Sequence, residues 1–446
     1  MSTMDNFNRV ALLMSWLIGM AVSQATVHGD FIVAPGIERV VNRSELSETA
    51  QKAIEAAQKS IRERDLKTAR ESLKVLESDP NVAHPEILLA ELLTDAGFAA
   101  DGNNVLEEFS GREPQRVDLY LVFAERAVKQ QRWFEGWNLA SIGLRGKMPE
   151  HWSPAFQQSV RDRLQWLKAT CLEGRKDWNS AKQVYASMEQ NTKNSIDVLA
   201  GLGRCSFHLG DTEGALRYFG NIKQLKPKSE PPYLLLAQLN ELVGKVDEAE
   251  AAYEEALKSA EGTEKVGVRL AFARWLIVNN RPQSTISLLT EPISDSPENE
   301  TERQFLKALV SRMEGRLSEA QAVLSALHRQ NPATFVIGNQ LALVLSESDD
   351  ESLRARALQI AEGNVRNQSQ SSEAWATLGW VQFRLGDRAM AEKSLANAAQ
   401  LGPLSRDTVY YILQLKRAAS DTEAVKVLEK ALEQTKGPNY FVKNAP

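Results

Sequence analysis

The sequence predicts an all-α chain built from stacked two-helix units, and three observations carry that prediction. At 446 residues the chain exceeds what a single core usually organises, so it is either multidomain or a repeat array. Ala, Leu, Glu, Lys, Gln and Arg dominate while aromatics reach only 7 %, a mix that favours helix. Third, a small residue recurs at Ala69, Gly102, Gly136, Ala181, Ala215, Ala249, Thr285, Ala320, Ala357, Ala391 and Ala424. The steps between them are 33, 34, 45, 34, 34, 36, 35, 37, 34 and 33, and eight of the ten lie within two of 34, which chance composition would not give.

A period near 34 residues matches one helix–turn–helix unit, and the recurring small residue has a physical reason. Where the second helix of a unit crosses the first, a large side chain forces the backbones apart, at a cost of roughly 1–3 kcal/mol. The facing helix repeats the demand at Ala57, Ala90, Ala124, Ala169, Gly203, Ala237, Ala273, Ala308, Ala342 and Gly379; only the last unit, with Ile412, departs. Four residues after most of the small residues comes a bulky one, such as Tyr185, Phe219, Tyr253, Leu289, Leu324 and Leu395.

Taken in order, the chain opens with Arg9 and the apolar run Val10–Val22, followed by Ser-Gln-Ala. This is the layout of a signal peptide over residues 1–25, with cleavage expected after Ala25. Thirteen apolar residues fall short of the roughly 20 that span a bilayer. The alternatives are an uncleaved N-terminal anchor and a buried helix. No Cys follows the run, which argues against a lipid anchor. Residues 26–48, broken by Pro35-Gly36, form a linker or strap.

Repeats are expected over 49–148 and 162–436, with a tail at 437–446. Gly210, Gly244 and Gly386 fall where the chain turns between helices and a left-handed residue suits glycine. Asp211 and Asp247 suit the start of the next helix, and Pro227 its end. The 45-residue step marks an insertion at 149–161, with Ser153 as N-cap and Pro154 as first helical residue of a helix running to about Glu173. Trp152 and Phe156 are expected at its exposed start, either covering the joint between two sub-arrays or serving as a docking knob. Lys168 and Lys307 stand where a buried apolar residue is usual, so those helices are candidates for rotation or slipped register. The turn SESDDES adds about three residues to the unit at 335–371.

The segment Ala374–Pro403 holds Trp375, Leu378, Gly379, Gly386, Ala391, Leu395, Ala398 and Pro403 in an order that closely resembles the tetratricopeptide repeat (TPR) family. The resemblance extends over about residues 50–436 and implies a right-handed α-solenoid of about eleven stacked helix pairs. It also implies that the first helices line a concave groove. Carried onto this sequence, the groove positions include Arg163, Trp166, Arg204, Phe207, His208, Arg274, Arg312, Trp380, Phe383 and Arg384. Arg and aromatics are the types that carry binding hot spots, and guanidinium groups grip carboxylates bidentately. The groove is therefore expected to take an extended, partly acidic peptide or protein segment. The competing view is that these arginines are a solvated face and that Trp380 and Phe383 pack between repeats.

Catalytic chemistry is not signalled. The five histidines show no i, i+4 pair and no H-E-x-x-H, and the two cysteines form no C-x-x-C, so neither a metal nor a cofactor is expected. Gly201-x-Gly203 lies within a helix and lacks the third glycine of a dinucleotide loop. Cys171 and Cys205 occupy equivalent positions 34 residues apart, so roughly the 8–10 Å helix spacing separates them and two free thiols are expected. A net charge of −5 gives no basic surface for nucleic acid. The chain is expected to be a non-enzymatic scaffold for protein–protein interaction, exported to a bacterial periplasm or cell surface. Alternatives are a subunit of a secretion or polysaccharide-export apparatus and a regulatory accessory subunit of an enzyme.

Overall fold

The structure, a computed structural model, describes residues 46–191, 195–293 and 296–440. The apolar N-terminal run, most of the 26–48 linker and the last six residues lie outside them. Twenty-two helices and no strand occur among the described residues, an all-α solenoid architecture as expected. They fall into two compact units divided after Lys245.

The unit ending at Lys245 contains α1 (Glu48–Arg62), α2 (Leu66–Lys74), α3 (Pro85–Asp95), α4 (Ala99–Arg112), α5 (Val117–Lys129), α6 (Trp133–Arg145), α7 (Pro154–Gly174), α8 (Trp178–Asn191), α9 (Ile196–His208), α10 (Thr212–Leu225) and α11 (Pro232–Leu242). The unit beginning at Val246 contains α12 (Val246–Ser259), α13 (Gly262–Val278), α14 (Pro282–Leu289), α15 (Pro297–Met313), α16 (Leu317–Gln330), α17 (Phe335–Ser346), α18 (Glu351–Asn367), α19 (Ser372–Arg384), α20 (Arg388–Leu401), α21 (Arg406–Ala418) and α22 (Thr422–Gln434). Odd-numbered helices are the first of each sequential pair.

The turn within nearly every pair is one device. A single residue adopts left-handed φ: Gly97, Gly210, Gly244, Gly315 and Gly386 in five turns, and Arg64, Gln131, Lys176, Asn280 and Ser420 in five more. The next residue's N–H then donates to the carbonyl five residues back, as from Asp65 to Ser60 (2.9 Å), Asp211 to Ser206 (2.9 Å) and Asp387 to Gln382 (3.0 Å). This is the Schellman closure of a helix C-terminus. Where that residue is Asp (Asp65, Asp177, Asp211, Asp387, Asp421), its carboxylate also accepts from the N–H three residues on, at 2.8–3.2 Å. One side chain thus begins the second helix where the first has just stopped.

The recurring small residues sit where the helices meet. Ala181, Ala215, Ala249, Ala320, Ala357 and Ala391 are fully buried. A Cβ on Gly203 would lie 2.3 Å from the Phe219 ring, and one on Gly379 would lie 2.7 Å from Leu395 Cγ. The bulky residue after the crossing fills the space that the facing glycine leaves.

Four expectations are revised or resolved. In the last pair the turn residue is Ser420 and Asp421 caps the Ala424 N–H, so the crossing position is Val425 rather than Ala424. Helix α22 has no buried residue, so nothing there demands a small side chain. The helices with Lys168 and Lys307 keep their register, since Leu167 and Leu306 are fully buried and Lys176 and Gly315 turn at the usual spacing. The SESDDES turn lacks the left-handed residue and uses Asp350 to cap α18 through the Ser352 N–H at 2.8 Å.

The insertion delivers the expected helix start, with Ser153 Oγ accepting from the Phe156 N–H at 3.1 Å. Trp152 and Phe156, however, are not exposed: 2 % and 9 % of their surfaces remain accessible, and the rings meet edge to face at 4.8 Å. The Ser153 N–H donates to the Pro80 carbonyl (2.8 Å) and its hydroxyl to Asn81 (2.6 Å), so the insertion folds back onto the loop between α2 and α3. These aromatics cover a joint and are not a docking knob.

Lys176 holds φ +60 without being glycine. Lys176→Gly is expected to stabilise the chain by up to about 1 kcal/mol, left-handed strain relieved less chain entropy lost, whereas Gly210→Ala should cost about 1 kcal/mol. Paired denaturant titrations check both signs.

Candidate interaction face

In the unit ending at Lys245, the predicted groove residues lie on α7 and α9, and most are engaged by their neighbours. Arg163 on α7 donates to Glu125 on α5. Arg204 on α9 grips Glu173 on α7 through two bonds of 2.8 Å, and the Tyr185 hydroxyl donates to the same carboxylate at 2.6 Å. Glu173 is buried, so this is a desolvated, fully bonded ion pair rather than a free recognition arginine. Phe207 is buried and has Lys245 Nζ 5.7 Å from its ring centre. His208 stacks on Trp178 at 3.7 Å, and Trp166 is half-buried against the core. Cys171 and Cys205 are free and buried, and burial pushes the Cys171 thiol up to about 12 and Cys205 further still. Both are inert at neutral pH.

The sequence analysis missed an aromatic patch on a second helix, α6. Phe134 is 66 % exposed, tilts against Trp137 at 5.8 Å, and has the Arg175 guanidinium 5.3 Å from its ring centre. The aromatic run Trp133-Phe134 with Trp137 is the signal the sequence carries for it.

The unit beginning at Val246 follows the same logic. Arg274 on α13 pairs with Glu302 on α15. Arg312, only 3 % exposed, donates to Gln340 on α17 at 2.6 Å. Trp380 is 4 % exposed, stacks on Tyr411 at 4.8 Å and Phe383 at 5.5 Å, and donates its indole N–H to Glu347 at 2.9 Å. Arg384 reaches Glu347 at 3.6 Å and the Ser346 carbonyl at 3.3 Å. The two acids Glu125 and Glu302 and the two arginines Arg163 and Arg274 thus form mirror-image pairs, acid first in one unit and arginine first in the other. The expectation that these guanidinium groups await an acidic partner does not survive, because carboxylates or amides of adjoining repeats already meet them.

What lies on this face is the chain's own segment 437–440. Asn280, in the α13–α14 turn, donates its amide to the Gly437 carbonyl at 2.9 Å and accepts from the Asn439 N–H. The Tyr440 ring lies over the Arg312 guanidinium at 4.2 Å. Pro438 and Tyr440 help line a small cleft of about 70 Å³ with Phe305, Gln340, Glu373 and Asp407. Burial, reinforced by the neighbouring Asp407 charge, raises Glu373 to about 8. Burial likewise raises Asp407 to about 6 against the pull of Arg312 and Arg406.

Among the described residues no group of three or more His, Cys, Asp or Glu side chains could hold a metal ion, and no helix is long and apolar enough to cross a membrane.

Residues 231–263, spanning α11 and α12, match the family model described as tetratricopeptide repeat. Those residues carry one tetratricopeptide repeat. Nine of the other ten helix pairs reproduce its left-handed turn, and most keep its small-residue spacing. No curated protein matches the chain. Among solved structures, the APC/C hetero-tetramer Cut9–Hcn1 shows 14 % identity over 90 % of this chain and 82 % of that one, with a TM-score of 0.37. A tetratricopeptide repeat protein from Parabacteroides merdae shows 14 % identity over 70 % and 98 %, with a TM-score of 0.32. Yeast Tom70 shows 10 % identity over 86 % and 99 %, with a TM-score of 0.34. With TM-scores below 0.5, these likenesses add nothing to what the helices themselves show.

Two predictions follow from the buried charges. Arg204→Leu leaves Glu173 buried and unpaired, and should destabilise by roughly 3 kcal/mol in denaturant titration. Adding Glu173→Leu should recover most of that loss; a double variant no better than the single one contradicts the pairing. Glu373 has a folded-state pKa above its ordinary 4.5, so its contribution to stability is full below pH 4.5 and is lost as pH rises through about 8. Asp407 acts in the same direction between about 3.8 and 6. Melting temperatures of the wild type should therefore fall relative to Glu373→Gln between pH 5 and 9, and a constant difference would count against the assignment.

Proposed function

We propose that the chain is a non-enzymatic scaffold that binds an extended segment of a partner protein on the first-helix face, and that it works after export to a bacterial cell envelope. One observation carries the binding part: the unit beginning at Val246 already holds an extended segment on that face, through backbone hydrogen bonds to Asn280 and a ring laid on Arg312. A repeat array suits this role because stacking identical units buries one core and leaves a long surface whose side chains are free to vary. The family match supports the reading, since tetratricopeptide repeats are interaction modules. Export is supported by the sequence alone, through the apolar run Val10–Val22 and the Ser-Gln-Ala that follows.

Both parts are testable. The mature protein recovered from its native host should begin at Thr26; a protein still starting at Met1 and found in the cytosol would remove the export part. Cross-linking with mass spectrometry on the natively captured complex should join a partner segment to α13, α15 or α17. Cross-links confined to the second helices would move the site to the opposite side, where Phe134 is exposed.

A further inference from the structure

We propose that the first-helix face of the unit beginning at Val246 is a peptide site whose resident occupant is the chain's own segment 437–440. The partner it takes is an extended segment that carries an aromatic side chain, is uncharged where it is gripped, and displaces that occupant. This deepens the scaffold reading and rests on it.

Three features argue for a site rather than incidental packing of a chain end. First, Asn280 contacts main chain only: its amide donates to one carbonyl, at Gly437, and its oxygen accepts from one N–H two residues on, at Asn439. Any extended segment presents that pair of groups, so the grip reads backbone and demands no particular residue at those positions. Asn280 is also set for the task, because its left-handed φ of +59 places it in the turn, where the side chain projects beyond the helix pair. Second, Arg312 is buried and held by Gln340, so its guanidinium face is presented to the Tyr440 ring at 4.2 Å without freedom to swing away. A fixed cation beneath an aromatic ring selects the ring. Third, charge weighs against acids: Asp407, ionised at neutral pH, lines the same cleft, and Glu373, which burial keeps largely protonated there, adds its charge only at higher pH.

The resident segment meets these conditions. Gly437, Pro438, Asn439 and Tyr440 are uncharged at neutral pH and end in an aromatic ring. Helix α22 stops at Gln434, so two residues tether the segment to its site. Tethering of that kind gives an effective concentration of order millimolar, against which a free partner must compete. The tail therefore acts as a threshold: weak or unrelated segments are excluded, and a partner with a better backbone fit or further contacts replaces it.

The test uses the full chain and, as probe, a fluorescent peptide of residues 435–446 read by anisotropy. The Tyr440→Ala chain should bind the peptide at least tenfold more tightly than the wild type, whose site is filled. Adding Asn280→Gly should weaken binding at least tenfold; glycine keeps the left-handed turn, so an unchanged melting profile separates lost grip from lost fold. Peptide carrying Tyr440→Ala should not bind, and Tyr440→Phe should. Equal binding by wild-type and Tyr440→Ala chains, or no effect of Asn280→Gly, overturns the proposal. A captured partner that binds both chains equally and ignores excess peptide also overturns it while leaving the scaffold reading standing. Expected peptide behaviour with no partner cross-linked to this face would instead sustain the site and remove the scaffold reading.

Discussion

The turn between the two helices of a pair is the constraint on which the rest depends. A left-handed residue and the bond that closes the first helix fix where the second helix begins, to the residue. That fixes which residue of the second helix crosses the first. Only then does a glycine at 203 or 379 meet a bulky Phe219 or Leu395 sixteen residues later in the same helix pair. Remove the closure and the helix pair can slide; the small and bulky positions then no longer coincide. Five turns achieve the geometry with glycine and five without it, so the hydrogen-bonded closure, not the glycine, is the common requirement.

This explains how much of the fold was legible. Small residues at a fixed step reveal a contact that repeats, and a contact that repeats in a helical chain means stacked pairs. At the last pair the 34-residue step holds but the residue type does not: Val425 rather than Ala424 takes the crossing position, because α22 has no buried residue and loses the packing demand that keeps the residue small. Trp152 and Phe156 were misplaced for a different reason. They are buried where the insertion folds back, with Ser153 between them bonded to Pro80 and Asn81 some seventy residues earlier, and no local pattern announces such a contact.

The candidate site was legible in direction but not in partner. Repeat position tells which way a side chain faces; it does not tell what the next repeat places opposite. Arg163, Arg204 and Arg274 do face along the first helices, and there each meets a glutamate from the neighbouring repeat. The signal was present as charge complementarity between successive first helices, Glu125 with Arg163 and Arg274 with Glu302. Burying an arginine without its carboxylate is costly, so the two must be read together. These pairs stitch repeat to repeat and set the relative rotation of adjoining first helices within each unit. They shape the face without being what it offers to a partner.

What the face does offer follows from that subtraction. With the guanidinium groups neutralised by glutamates, recognition in the unit beginning at Val246 falls to groups that need no partner charge: an amide that reads backbone and a buried arginine that presents its flat face. A buried guanidinium held in plane by a hydrogen bond to Gln340 can still attract through its π face, and an aromatic ring is the group that answers. Glu373 and Asp407, neutral or charged according to pH, would oppose an acidic segment most strongly when ionised, so the electrostatics of the cleft and the chemistry of Tyr440 point the same way. An acidic partner, the natural guess from an arginine-rich face, is thus the one least compatible with how those arginines are held.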